Sequence, residues 1–90
     1  MDFWTQINQK DDVRKVIARH YAKFRESAAV IIREGVASGV FRQVDPKEYA
    51  SYVIAVIDGL SLQWLFEETT FDYDNIIKKA GKLLLEGLKK

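Results

Sequence analysis

The stretch Asp45 to Phe66, DPKEYASYVIAVIDGLSLQWLF, leaves few folds open to this chain. It opens with a helix-start signal and then carries a single charge, Asp58, between Glu48 and Glu67. Asp45 is placed to cap the helix, and Pro46 suits the first helical position because its missing N–H would be unpaired there anyway. Glu48 stands where a capping box puts an acid. Beyond that start, Tyr49, Val53, Val56, Ile57, Leu60 and Trp64 form one stripe at helical spacing, and Tyr52, Ala55, Gly59, Leu62 and Phe66 form another. A helix apolar on both stripes needs partners on more than one side. One stripe serves the chain's own core; the other is suited to a second molecule.

Size sharpens that expectation. A chain of 90 residues makes one small domain, which buries only about 60–65% of the surface its unfolded form exposes. With 48% hydrophobic and 30% charged residues it is neither disordered nor fibrous, and so high an apolar share in so short a chain favours oligomerisation. The absence of cysteine removes disulfides and thiolate metal sites and fits a reducing cytoplasm. A formal charge of +1 supplies no global field for nucleic acid, membrane or acidic substrate. Met1 is followed by DFWTQINQKDD, not by a basic start and an apolar run, so no signal peptide is expected. Tyr49 to Phe66 approaches the length of a membrane span, but Ser51, Asp58, Ser61 and Gln63 lie within it, and basic residues do not gather at either end. No membrane partner is expected.

Four helical stretches follow from the periodicity, with no strand alternation to compete. Met1 to about Gln9 is short, and its Phe3, Trp4 and Ile7 share one face. Three large apolar residues so near a chain start read as the tail of something longer, since a true terminus is usually polar and frayed. Asp11 or Asp12 then caps a long helix whose Val13, Val16, Ile17, Tyr21, Phe24, Ala28, Ile31, Ile32 and Val36 hold one stripe, with Arg14, Lys15, Arg19, Lys23, Glu26 and Arg33 opposite. Ser38-Gly39 ends it, because glycine takes the left-handed conformation that stops a helix, and Val40 and Phe41 anchor the turn. The short connection to Asp45 predicts an antiparallel pair. A last helix starts near Asp72 or Asp74 and runs to about Leu88, with Ile76, Ile77, Ala80, Leu83, Leu84 and Leu88 on one side. Gly81 and Gly87 each cost it about 1 kcal/mol relative to alanine, which points either to close approach or to fraying. The expected fold is all-α: a bundle of three long helices plus a short N-terminal helix.

In order and spacing, Phe3-Trp4, the helix Asp12 to Ser38, Gly39-Val40-Phe41, Asp45-Pro46 and Asp58-Gly59-Leu60 with Leu62-Gln63 resemble the C-terminal regulatory domain of TetR-type transcriptional repressors. The likeness spans nearly the whole chain. It implies a single regulatory and dimerisation domain over residues 1–90, part of a cytoplasmic regulator in which the last two long helices of each subunit build a four-helix bundle. A repressor of this kind begins with a three-helix DNA-binding domain, and no helix-turn-helix pattern precedes Phe3. DNA contact is therefore expected only through that missing N-terminal domain.

The candidate dimer interface is Tyr52, Ala55, Gly59, Leu62 and Phe66 with Leu84. A glycine in mid-helix costs stability unless another backbone comes near, so Gly59 is read as a helix crossing. Aromatic residues Phe3, Trp4, Tyr21, Phe24, Tyr52 and Trp64 are able to wall a pocket for a small apolar effector, or to serve as plain core. The candidate effector residues are Trp4, Tyr21, Phe24 and Asp58. A buried carboxylate needs a partner or a proton, so Asp58 either meets an effector or partner, or faces a polar gap at the helix surface. His20 has no second histidine, cysteine or i±4 carboxylate beside it, which leaves it a helix-surface or core-edge role and no metal. Lys15, Arg19 and Lys23, with Arg14 and Arg25 nearby, lack interleaved aromatics and read as a solvated face. No phosphate loop, nucleophile elbow or metal motif is present, so neither enzyme nor cofactor is expected. Two other readings stay open: a free-standing helical adaptor and a small hydrophobe-binding protein.

Overall fold

The computed structural model describes residues 11–90. The short helix expected at Met1 to Gln9, with Phe3, Trp4 and Ile7, lies outside the described residues. Three helices follow: α1 (Asp11–Ala37), α2 (Pro46–Phe66) and α3 (Tyr73–Leu88). The described part is all-α, as the periodicity predicts, with one isolated antiparallel bridge between Phe41 and Lys89.

Local chemistry sets each boundary. Gly39 adopts φ 81° after α1, where a side chain would be strained. Its N–H donates to the Val36 carbonyl at 3.1 Å while the Phe41 N–H donates to Gly35 at 3.0 Å. That bond folds the Phe41 ring back onto Gly35, where a β-carbon would lie 2.1 Å from the ring. Only glycine fits there. At the start of α2, Asp45 Oδ1 accepts from the N–H groups of Lys47 at 3.0 Å and Glu48 at 3.3 Å. The return half of the capping box is replaced: Glu48 accepts instead from the Tyr52 hydroxyl. Asp72 caps α3 by accepting from the Asn75 N–H at 3.1 Å.

The helices pack in chain order, each antiparallel to the last. Arg25 Nε donates to Ser51 Oγ at 3.1 Å from α1 to α2. Between α2 and α3, the Tyr49 hydroxyl donates to the Leu84 carbonyl at 2.6 Å, Ser61 and Tyr73 share a 2.8 Å bond, and the Trp64 and Tyr73 rings meet at 5.4 Å. The Tyr49 hydroxyl also comes within 3.0 Å of where a Gly87 β-carbon would stand, which accounts for that glycine; Gly81 is open. The end of α3 is fastened to the first turn, with the Arg42 N–H donating to the Leu88 carbonyl at 2.7 Å.

The result is a layer of 48 × 34 × 15 Å. Its thickness is little more than one helix, about 10–12 Å with side chains. The core is correspondingly small: Ala29 and Ile32 of α1, Phe41 of the turn, Ala50 of α2 and Leu88 of α3 form one cluster, with Ala28, Val36, Val44 and Tyr49 against it, and Ile54 buried further along α2. Two expectations change here. Ala29, outside the predicted α1 stripe, is buried, whereas Val13, Val16, Ile17, Tyr21, Phe24 and Ile31 of that stripe are exposed. On α2 the buried residues are Ala50 and Ile54, which belong to neither stripe. The reason is geometric: Ala50 joins Ala29 and Ile32 of α1 and Leu88 of α3 in one cluster, and among the described residues no further layer covers the larger side chains.

Candidate effector site and dimer face

Because α1 and α2 run antiparallel, Tyr21 comes opposite Asp58, the one acid in the apolar middle of α2. The Tyr21 hydroxyl donates to Asp58 Oδ2 at 2.5 Å. That bond, then partial desolvation, then the carboxylate's negative charge raise the Tyr21 pKa above its ordinary 10.0. At neutral pH the phenol is therefore a neutral donor. The pair supplies the partner that a half-buried acid requires.

Recesses adjoin it on both sides. His20, Tyr21, Phe24, Ile54, Ile57 and Asp58 line one of about 80 Å³. Tyr21, Asp58, Ser61, Leu62 and Leu65 line another of about 310 Å³. Further along α1, a cleft of about 540 Å³ is bordered, among the described residues, by His20, Lys23, Phe24, Ser27, Ala28 and Ile31. Three of the four predicted effector residues, Tyr21, Phe24 and Asp58, thus meet at one recess. Trp4 lies outside the described residues. Sequence reasoning missed Ile54, one helical turn before Asp58, and gave Ile57 to the core and His20 to the helix surface or the core edge. His20 is exposed, with its ring edge-on to Tyr21 at 6.0 Å. Among the described residues no cluster has the makings of a metal site. Lys15, Arg19 and Lys23 are exposed, while Arg25 leaves their company for Ser51.

On the other candidate surface, Tyr52, Ala55, Leu62 and Phe66 are exposed, Phe66 by 83%, and Gly59 is half-exposed. Outside its own turn of helix, no atom of the described residues lies within 4 Å of a β-carbon built on Gly59, so no neighbour among them explains it. Leu84 is half-buried with its carbonyl on Tyr49, and its neighbour Leu83 is the more exposed, at 69%. By length and composition alone α2 is long and apolar enough to cross a membrane, a test that core helices of soluble proteins also pass. Its Ser51, Asp58 and Ser61 are nonetheless bonded to α1 and α3, and α1 carries exposed Arg14, Lys15 and Arg19 beside it.

A family model described as BetI-type transcriptional repressor, C-terminal, matches residues 1–86. The chain belongs to that family. No curated protein and no solved structure matches it. It is accordingly a regulatory domain of a TetR-type repressor, in a family that is not an enzyme family.

Proposed function

We propose that this regulatory domain is the effector-sensing and dimerising part of a cytoplasmic TetR-type regulator, which reaches DNA only through a separate DNA-binding domain. The observation that carries the dimer is the uncovered face of α2. Tyr52, Ala55, Leu62 and Phe66 stand exposed at helical spacing around an open Gly59. Monomeric proteins rarely leave so continuous an apolar surface uncovered, and a two-fold partner hides it with the same residues from both copies. A layer one helix thick has little core of its own, which makes a second layer the natural completion.

Sensing is supported by the recesses around Tyr21, Phe24 and Asp58, which join the helix of the proposed interface to α1. A small apolar effector seated there favours one dimer geometry over another, and the two geometries differ in how they fit operator half-sites. Sedimentation of the 90-residue chain at micromolar concentration tests the dimer: a homodimer is expected, and a folded monomer overturns the reading. Native mass measurement with and without apolar compounds tests sensing, with one bound molecule per protomer expected.

A further inference from the structure

The two smaller recesses between α1 and α2 have a common wall in Tyr21 and Asp58, which are joined by a hydrogen bond. Phe24, Ile54 and Ile57 lie to one side of the Tyr21–Asp58 pair, and Leu62 and Leu65 to the other. The larger, about 310 Å³, stands at the lower end of the range of small-molecule sites, about 300–1,000 Å³; the smaller has only about 80 Å³. Joined, they would hold a compact organic molecule. The wall is made of a carboxylate, which is fixed on α2 and only accepts hydrogen bonds, and a phenol, which is exposed and able to turn away.

We propose that Tyr21 stands in for the effector's head group: the site takes a small apolar molecule bearing one hydrogen-bond donor, a hydroxyl or a protonated amine. That donor takes Asp58 from Tyr21 and opens one recess into the other. This deepens the effector-sensing reading and rests on it. The energetics favour such an exchange, because an ionised acid in a partly desolvated setting is costly to leave unpaired. A ligand without a donor gains nothing from Asp58, so it leaves the wall standing and is confined to one recess. A ligand carboxylate meets the negative charge of Asp58 among apolar walls that cannot offset it. The raised Tyr21 pKa agrees with a phenol proton held by the acid. The exchange also gives the ligand a mechanical effect, since releasing Tyr21 removes a direct link between the first half of α1 and the helix of the proposed interface.

The test uses the 90-residue chain and four naphthalenes of nearly one size, with binding read by calorimetry. 2-Naphthol and 2-naphthylmethylammonium are expected to bind about tenfold more tightly than 2-methylnaphthalene, with 2-naphthoate weakest. Tyr21→Phe keeps the ring and removes the competing donor, so it should tighten both donor compounds by about three- to tenfold and leave 2-methylnaphthalene unchanged. Asp58→Asn should cost the ammonium compound at least about tenfold. Far-ultraviolet circular dichroism shows whether each variant keeps its helices. Equal affinities for 2-naphthol and 2-methylnaphthalene, with no response to Tyr21→Phe, overturn the donor proposal and leave an effector site standing. Failure of all four to bind the folded wild-type chain overturns the sensing reading as well.

Discussion

Where α1 runs into the Gly39 turn, Ala29, Ile32, Phe41, Ala50 and Leu88 close a small core, and the end of α3 is bonded to Arg42. At the opposite end, from Val13 to Phe24 on α1 and from Leu62 to Phe66 on α2, no side chain is buried. The Tyr21–Asp58 bond crosses between the helices in that open region. Two glycines condense the contrast. Gly35 is needed by its own chain, because the Phe41 ring occupies the place of a side chain; Gly59 has empty space there. The closed end holds the layer together, and on the proposed reading the open end and the outer face of α2 are the surfaces that meet other molecules.

The sharpest way to break this comparison is at the aromatic residues. Phe41→Ala empties the closed core and should destabilise the chain by about 3–5 kcal/mol, enough to unfold a domain of this size in mild urea. Phe66→Ala, at a side chain 83% exposed, should leave the far-ultraviolet signal of dilute protein intact and act only on association. Equal losses of helix at the same dilution would show that the open end contributes to folding as much as the closed one.

The glycines give a second, smaller pair of effects. Gly35→Ala drives a methyl group into the Phe41 ring and should lower the urea midpoint by the equivalent of about 1–3 kcal/mol, despite the better helix propensity of alanine. A β-carbon at Gly59 meets nothing among the described residues outside its own turn of helix, so Gly59→Leu should leave the helices formed and weaken dimerisation by about 1–3 kcal/mol. Sedimentation at several concentrations measures this. An unchanged dimer in Gly59→Leu moves the interface elsewhere.

Most of the fold was legible because its signals are local. The Asp45 cap, Pro46, the Gly39 stop and the Asp72 start depend on a few neighbouring residues, and each stands where its pattern places it. The need of Asp58 for a partner was legible, since a lone acid in an apolar helix is costly unpaired; that Tyr21 supplies it was not, because the pairing depends on the relative height of two helices. What escaped was the choice of helix side. Periodicity finds the apolar face but not which neighbour covers it, so Ala29, Ala50 and Ile54 were passed over for larger residues that the layer leaves open. Gly35 was missed for a related reason: its role depends on Phe41, six residues away and around a turn, and no spacing rule links them.

Asp45 offers a milder test of the closed end. Its carboxylate accepts two N–H groups at the start of α2, so Asp45→Ala should cost about 1 kcal/mol. Because Val44, next to it, packs against the core cluster, the loss should appear as a lowered thermal midpoint of the whole cooperative transition. A midpoint unchanged within error would mean that Pro46 alone sets the helix start.

The smallest expected effect belongs to the open end and appears only in alkali. Folding raises the Tyr21 pKa above 10.0, chiefly through the hydrogen bond to Asp58, so the folded state holds that proton more tightly than the unfolded chain does. By linkage, the stabilisation is fully present below pH 10.0, the unfolded value, and is lost as pH rises through the higher folded value. Tyr52 is shifted the same way by Glu48, so the wild-type titration must be compared with that of Tyr21→Phe. The difference in phenolate absorbance should show one group titrating above the ordinary tyrosine range in the wild type and absent from the variant. Tyr21→Phe should also flatten the alkaline fall in thermal midpoint slightly, because so exposed a pair is well screened by water. An ordinary tyrosine titration in that difference would mean that the Tyr21–Asp58 bond is open in solution, and α1 would then lack that polar tie to the open end of α2.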